Sequence, residues 1–183
     1  MRRIFWFGMQ SLDGYHETRE GELFWHNVDA EFHAFAVAQL DEADTLLFGR
    51  KTYEHMAGFW PGTDIPEVSA TAERMNGYPK VVVSATLADP AWGPVTVLGD
   101  DFAARLGELK DKPGKDIVLI GSSELAAGLL DAGLLDELRV MVNPVVLGGG
   151  HASLASASRA DLKLTAVRQF GSGNVLLTYA RPA

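Results

Sequence analysis

Apolar residues run along this chain in short bursts, separated by longer stretches in which they recur at helical spacing. The first burst, Ile4 to Met9, predicts a central strand. Gln10 to Glu22 has no period and contains the Asp13-Gly14 turn signal, so it reads as a long loop of functional character. Val28, Phe32, Phe35, Ala36 and Leu40 then follow at spacings of 4, 3, 1 and 4. That period predicts a helix from about Asn27 to Asp41, with Asn27 as its N-cap and the acids Asp29 and Glu31 suited to its first turn.

The stretch that organises the rest is Asp44 to Glu54. Thr45 to Phe48 reads as a strand buried on both faces, Gly49 permits a sharp turn, and Arg50, Lys51, Thr52 and Tyr53 open a helix that ends near Gly58. Two cations in a first turn oppose the helix dipole, at about 0.3–1 kcal/mol each, unless an anion is near. A phosphate seat is one reading of this corner, and two side chains pointing into water is the other. Further on, the pattern predicts a loop at 59–67 and a helix at 66–75. Strands follow at 81–83 and 95–98, a helix at 102–109 and a strand at 117–120. Gly121-Ser122-Ser123 makes a second strand–glycine–helix corner, its helix stopping near Gly133. A strand at 138–142, the loop Leu147 to Gly150, and two strands at 162–170 and 175–180 around Gly171-Ser172-Gly173 complete the chain. The alternation predicts a single α/β domain with a mostly parallel sheet and an antiparallel edge. In such a sheet both corners would open into one crevice.

Composition narrows the functions open to this fold. The net charge of −8 over 183 residues disfavours a nucleic-acid or anionic-membrane binder, so an anionic ligand must be held by a few placed cations. The absence of cysteine excludes disulfides, zinc–thiolate sites and thiol nucleophiles. The N-terminal apolar run is too short for a signal peptide, which makes a cytoplasmic protein the expectation. His26, Asp29 and His33 lack a further ligand, so no metal is expected. The segment 121–128 does not match the Rossmann fingerprint.

Four pieces, SLDG at 11–14, LLFGRKTYE at 46–54, VLIGSSEL at 118–125 and PVVLGGG at 144–150, carry a resemblance. The second resembles the cofactor-binding junction of dihydrofolate reductases. The whole chain resembles their relatives, the C-terminal reductase domains of the riboflavin-biosynthesis deaminase-reductase. The resemblance implies a three-layer dihydrofolate reductase-like fold, NADPH as hydride donor, a small-molecule substrate and a homodimer. By position, Gly49, Arg50, Lys51 and Thr52 would hold the pyrophosphate and the adenosine-side phosphate, with Ser84 near the 2′-phosphate. Gly121, Ser122 and Ser123 would pass under the pyrophosphate, although dihydrofolate reductases typically have consecutive glycines where Ser122 stands.

Hydride transfer needs the two carbons held about 3–3.5 Å apart and a proton for the reduced substrate. A carboxyl group in an apolar cleft, its pKa raised, is the usual source. By resemblance Glu31 is that acid and Phe35 the ring facing the substrate, with Asp29 the rival acid and Asp13, in the loop over the nicotinamide, a third. Trp25 could stack on a flat ring, Trp60 reads as packing, and Gly148 in the glycine loop would border the substrate. From Glu20 through Gly49, counting Glu20 itself, there are seven acids and no lysine or arginine, leaving Arg2, Arg3 and Arg19 as cations for a phosphorylated substrate. Two rival functions remain open: a nucleotide-binding protein without turnover, and a flavin-binding α/β protein.

Overall fold

The apolar bursts become the strands of one main sheet whose central members are buried, and the computed structural model describes residues 1–182. In chain order the elements are β1 (Ile4–Gln10), β2 (Tyr15–Glu17), α1 (Ala30–Asp41), β3 (Ala43–Gly49), α2 (Arg50–Phe59) and α3 (Ser69–Gly77). Next come β4 (Lys80–Val83), β5 (Val95–Leu98), α4 (Phe102–Asp111), β6 (Asp116–Ile120) and α5 (Ser123–Asp131). The chain finishes with β7 (Glu137–Val142), β8 (His151–Ala152), β9 (Lys163–Gln169) and β10 (Val175–Ala180). The main sheet has eight strands in the order β5-β4-β3-β6-β1-β7-β10-β9. Its first six strands are parallel, and β10 runs antiparallel to both β7 and β9. This is the dihydrofolate reductase-like α/β fold with its closing hairpin.

Alternation along the strands divides the core between two faces. Phe5, Leu46, Phe48, Val82 and Val118 meet Leu40 of α1, Tyr53 of α2 and Met75 of α3. Ile4, Trp6, Leu47, Val81, Ile117 and Leu119 meet Leu106 of α4 and Ala126, Leu129 and Leu130 of α5. Each such side chain, withdrawn from water, contributes about 1.5–3 kcal/mol before the entropy of ordering it. Trp6 also explains the glycine inside β1. Its indole folds over Gly8, where an added Cβ would lie 2.2 Å from the ring, and Nε1 donates to the Gly121 carbonyl at 2.5 Å.

Two features differ from the sequence reading. Helix α1 starts three residues later than expected, with Asp29 rather than Asn27 as its N-cap, because its carboxylate accepts from Phe32 N at 2.8 Å. Asn27 is held elsewhere. Its N–H donates to Asn143 Oδ1, its amide group donates to Ser172 O, and its carbonyl accepts from Asn174 Nδ2. Both partner asparagines are fully buried. The long loop contains β2, which pairs with β8 in a separate two-stranded sheet.

Arg2 and Arg3 lie at the amino ends of the parallel strands, opposite the crevice. Arg2 pairs with Asp44, and Arg3 pairs with Asp116 at 2.6 Å. No helix among the described residues is long and apolar enough to cross a membrane.

Candidate functional site

Strands β3 and β6 are neighbours, so their carboxyl ends bring the two glycine corners together. Gly49 N donates to Ser122 Oγ at 3.0 Å. Thr52 in the first turn of α2 packs on Gly121, where a Cβ would come within 3.4 Å of its methyl group. Neither helix is capped by a side chain at its N-terminus, at Gly49 for α2 or Ser122 for α5. Two sets of first-turn N–H groups, each with the positive end of a helix dipole, therefore open at one end of the sheet. Gly121 and Ser122 both have left-handed backbone, with φ of 58° and 48°. That turn lets the chain pass close beneath whatever lies over the corners.

The side chains around the corners are less uniform than expected. Lys51 is exposed, while Arg50 forks onto Glu54 at 2.9 and 3.1 Å along its own helix. Ser84 accepts from the amides of Thr86 and Leu87, so its oxygen shapes the turn after β4 and only its proton is left for a ligand. Ser123 turns away from the crevice: its buried hydroxyl accepts from Leu154 N at 2.6 Å and ties α5 to the segment after β8. Of the three residues expected under the pyrophosphate, Ser123 can offer its backbone but not its side chain.

The family model described as the RibD C-terminal domain matches residues 2–176. The chain belongs to that family. The RibD C-terminal domain relatives include the uncharacterized protein YyaP of Bacillus subtilis (strain 168), 30% identical over 181 residues, covering 97% of this chain and 94% of that one. Among solved structures, a putative riboflavin biosynthesis protein from Shewanella sp. PV-4 superposes with a TM-score of 0.76 at 25% identity, covering 99% of each chain. A dihydrofolate reductase from Enterococcus faecalis, complexed with NADP(H), shares the fold with a TM-score of 0.66 at 16% identity, covering 99% of this chain and 97% of that one.

In this RibD C-terminal domain the expected acids do not stand unpaired in an apolar cleft; each accepts hydrogen bonds from the protein. Glu31 accepts from Gly171 N at 2.9 Å and from Arg168 at 2.9 Å. The amide first and the guanidinium second hold its carboxyl below the usual range. Asp29 is spent on the helix cap. Asp13 accepts from Leu147 N at 3.0 Å and Gly148 N at 2.8 Å, which fastens SLDG to the glycine loop. A hydrogen bond from Ser11 and then the Leu147 amide keep its pKa low. Gly148 thus serves as an anchor for Asp13. Phe35 is buried against Phe7 and Phe170, with ring centroids 5.6 Å away in both cases. Trp25 is half-buried, its N–H donated to Glu22 O and its ring edge-on to His26 at 4.5 Å. Burial pushes His26 down to about 4, so it is neutral at physiological pH.

Sequence reasoning missed the cluster on the small sheet. His151 Nδ1 lies 2.9 Å from Glu17 Oε1, and His16 Nε2 lies 3.7 Å from the same atom. Only the position of His151, directly after the triple glycine, hinted at it. The segments Thr18 to Glu20 and Leu147 to Gly149, with Phe24, line an open depression of about 460 Å³. Arg19 lies against Gly149 there, where a Cβ would meet its Nη2 at 2.5 Å.

Proposed function

We propose that this chain is a reductase that passes hydride from NADPH to a flat heterocycle of the ribosylamino-pyrimidine or pterin kind, and that it works as a homodimer. The observation that carries this reading is the Gly49–Ser122 hydrogen bond, which sets two uncapped helix N-termini side by side. A dinucleotide diphosphate is the ligand that uses both. Membership of the RibD C-terminal domain family supports the same reading.

When bound, NADPH supplies the hydride. The first-turn amides of α2 and α5 would hold the diphosphate, with Lys51 adding charge. Arg50, now paired with Glu54, and the Ser84 hydroxyl would serve the adenosine 2′-phosphate. The protein's own share of the chemistry is placement and the exclusion of water, worth several powers of ten when two carbons are held in reacting geometry. The proton comes from water, because Asp13, Asp29 and Glu31 are all engaged as hydrogen-bonded carboxylates. Arg19, in the depression beside the glycine loop, suits an anionic tail on the substrate.

Calorimetric titration with NADPH, NADH, FMN and a deazaflavin tests the cofactor. NADPH should bind at least about tenfold tighter than NADH, and Arg50→Ala should abolish that preference while sparing NADH. Equal loss of both would remove Arg50 from the 2′-phosphate. Tighter binding of FMN, or a yellow protein on purification, would replace the reductase with a flavoprotein. The engagement of all three acids favours one second reading, a protein that binds the dinucleotide without turnover. Loss of reduced-nicotinamide absorbance with pyrimidine or folate precursors decides between the two.

A further inference from the structure

We propose that Ser122 is a positioning residue, which locks the two corners into one seat and gives its hydroxyl proton to the bridging diphosphate; this rests on the dinucleotide reading above. The starting point is an unusual backbone. Ser122 has φ 48° and ψ 52°, directly after Gly121 in the same region. A left-handed conformation crowds a residue's Cβ against the following carbonyl oxygen, so on backbone grounds alone glycine is the better residue here. A side chain kept at such a position calls for a role.

The common role of serine at this place is excluded by geometry. Ser122 is the N-cap residue of α5, yet its hydroxyl makes no capping bond to the helix. The left-handed turn swings it across to the neighbouring strand, where Oγ accepts from Gly49 N at 3.0 Å. The same hydroxyl donates to Ile120 O at 3.3 Å, a long contact. Gly121 is fixed at both ends, its N–H donating to Phe7 O at 2.9 Å and its carbonyl accepting from Trp6 Nε1. Ser122 therefore projects from a rigid base onto the corner at Gly49.

Two consequences follow for an anion. Gly49 N–H is already consumed, so the α2 seat consists of the amides after it, and the serine strut ties them to the α5 seat that the β3–β6 pairing brings alongside. The strut's proton is only weakly used by Ile120, and an oxygen that accepts from an N–H becomes a better donor. An anion over both corners draws that proton, while the lone pair stays with Gly49.

The test compares Ser122→Gly and Ser122→Ala by NADPH titration and thermal unfolding, with Gly49 amide exchange as a readout that needs no cofactor. Ser122→Ala keeps the strained backbone and loses the strut, so both melting temperature and affinity should fall. Ser122→Gly relieves the backbone, so it should melt at or above the wild-type temperature yet bind NADPH roughly tenfold more weakly. In both variants Gly49 N–H should exchange faster. Wild-type affinity in Ser122→Gly, or affinity that merely follows melting temperature across the pair, overturns the proposal while the dinucleotide reading stands. Wild-type protein that fails to bind NADPH, with Gly49 protected by Ser122, brings down the dinucleotide reading and this role together.

Discussion

At the scale of single residues, the carboxylate on α1 shows how partners from distant sequence decide chemistry. Glu31 meets Gly171 N and Arg168, both some 140 positions away, and neither is visible in the helical period that placed it. Arg168 in turn lies 4.3 Å from the centre of the Phe170 ring. A group held this way favours its charged form, which makes it a poor proton donor at neutral pH and a contributor to stability instead. The sign follows from the lowered folded-state pKa. The contribution is fully present above the ordinary value of 4.5 and disappears as pH falls through the lower folded value. Wild-type protein should therefore melt higher than Glu31→Gln at neutral pH, and the gap should close as the pH drops below about 4.5. A gap that persists unchanged at pH 3 would show that charge is not what Glu31 contributes. The same residue-scale logic gives Asp13 a structural task, since its two accepted amides fix a loop.

At the scale of elements, the corners were legible and the clasps were not. An apolar burst, a glycine and a helix opening are local patterns, so β3–α2 and β6–α5 could be read directly, along with every strand of the main sheet. Strands β2 and β8 span three residues and two, too short for any period, and exist only because each supplies the other's partner. The start of α1 was misjudged because Asn27, a good cap by its chemistry, is drawn off by buried Asn143 and Asn174. Strand β1 yields the clearest element-scale prediction. Gly8 leaves room for the Trp6 indole, and that indole holds the carbonyl of the second corner. Gly8→Ala puts a methyl group 2.2 Å from the ring, so the indole must leave its place. Overpacking of this kind costs about 1–3 kcal/mol or more, and chemical denaturation should report at least that loss. Gly8→Ala should also weaken NADPH, whereas a variant with full stability and wild-type affinity would mean that the indole does not set the corner.

At the scale of the whole molecule, the sheet is covered unevenly. Helices shield both faces from β4 to β7, but every residue of β9 is exposed and its outer edge has no partner strand among the described residues. A register shift between Thr178 and Tyr179 sets Leu164 beside Tyr179 and Val167 beside Leu177. The extra residue in β9 thereby turns Leu164 and Val167 to one face, though they stand three apart in sequence. With Val140 across the sheet they form an apolar strip, in which Leu164 is 47% and Val167 58% exposed. An edge of this kind invites another strand or sheet unless something covers it, and none of the described residues does. The homodimer proposed above would bury it. A stable pairing needs about 800 Å² from each copy, which requires the strip together with the hairpin around it. Light scattering on the wild-type protein should therefore give a dimer. Replacing Leu164 and Val167 together by lysine should give a monomer whose unfolding remains cooperative, because both side chains are already solvent-exposed in the single chain. A wild-type monomer would end the homodimer proposal. A lysine variant that stays dimeric would move the interface to another face and leave this edge to its strand-blocking bulge alone.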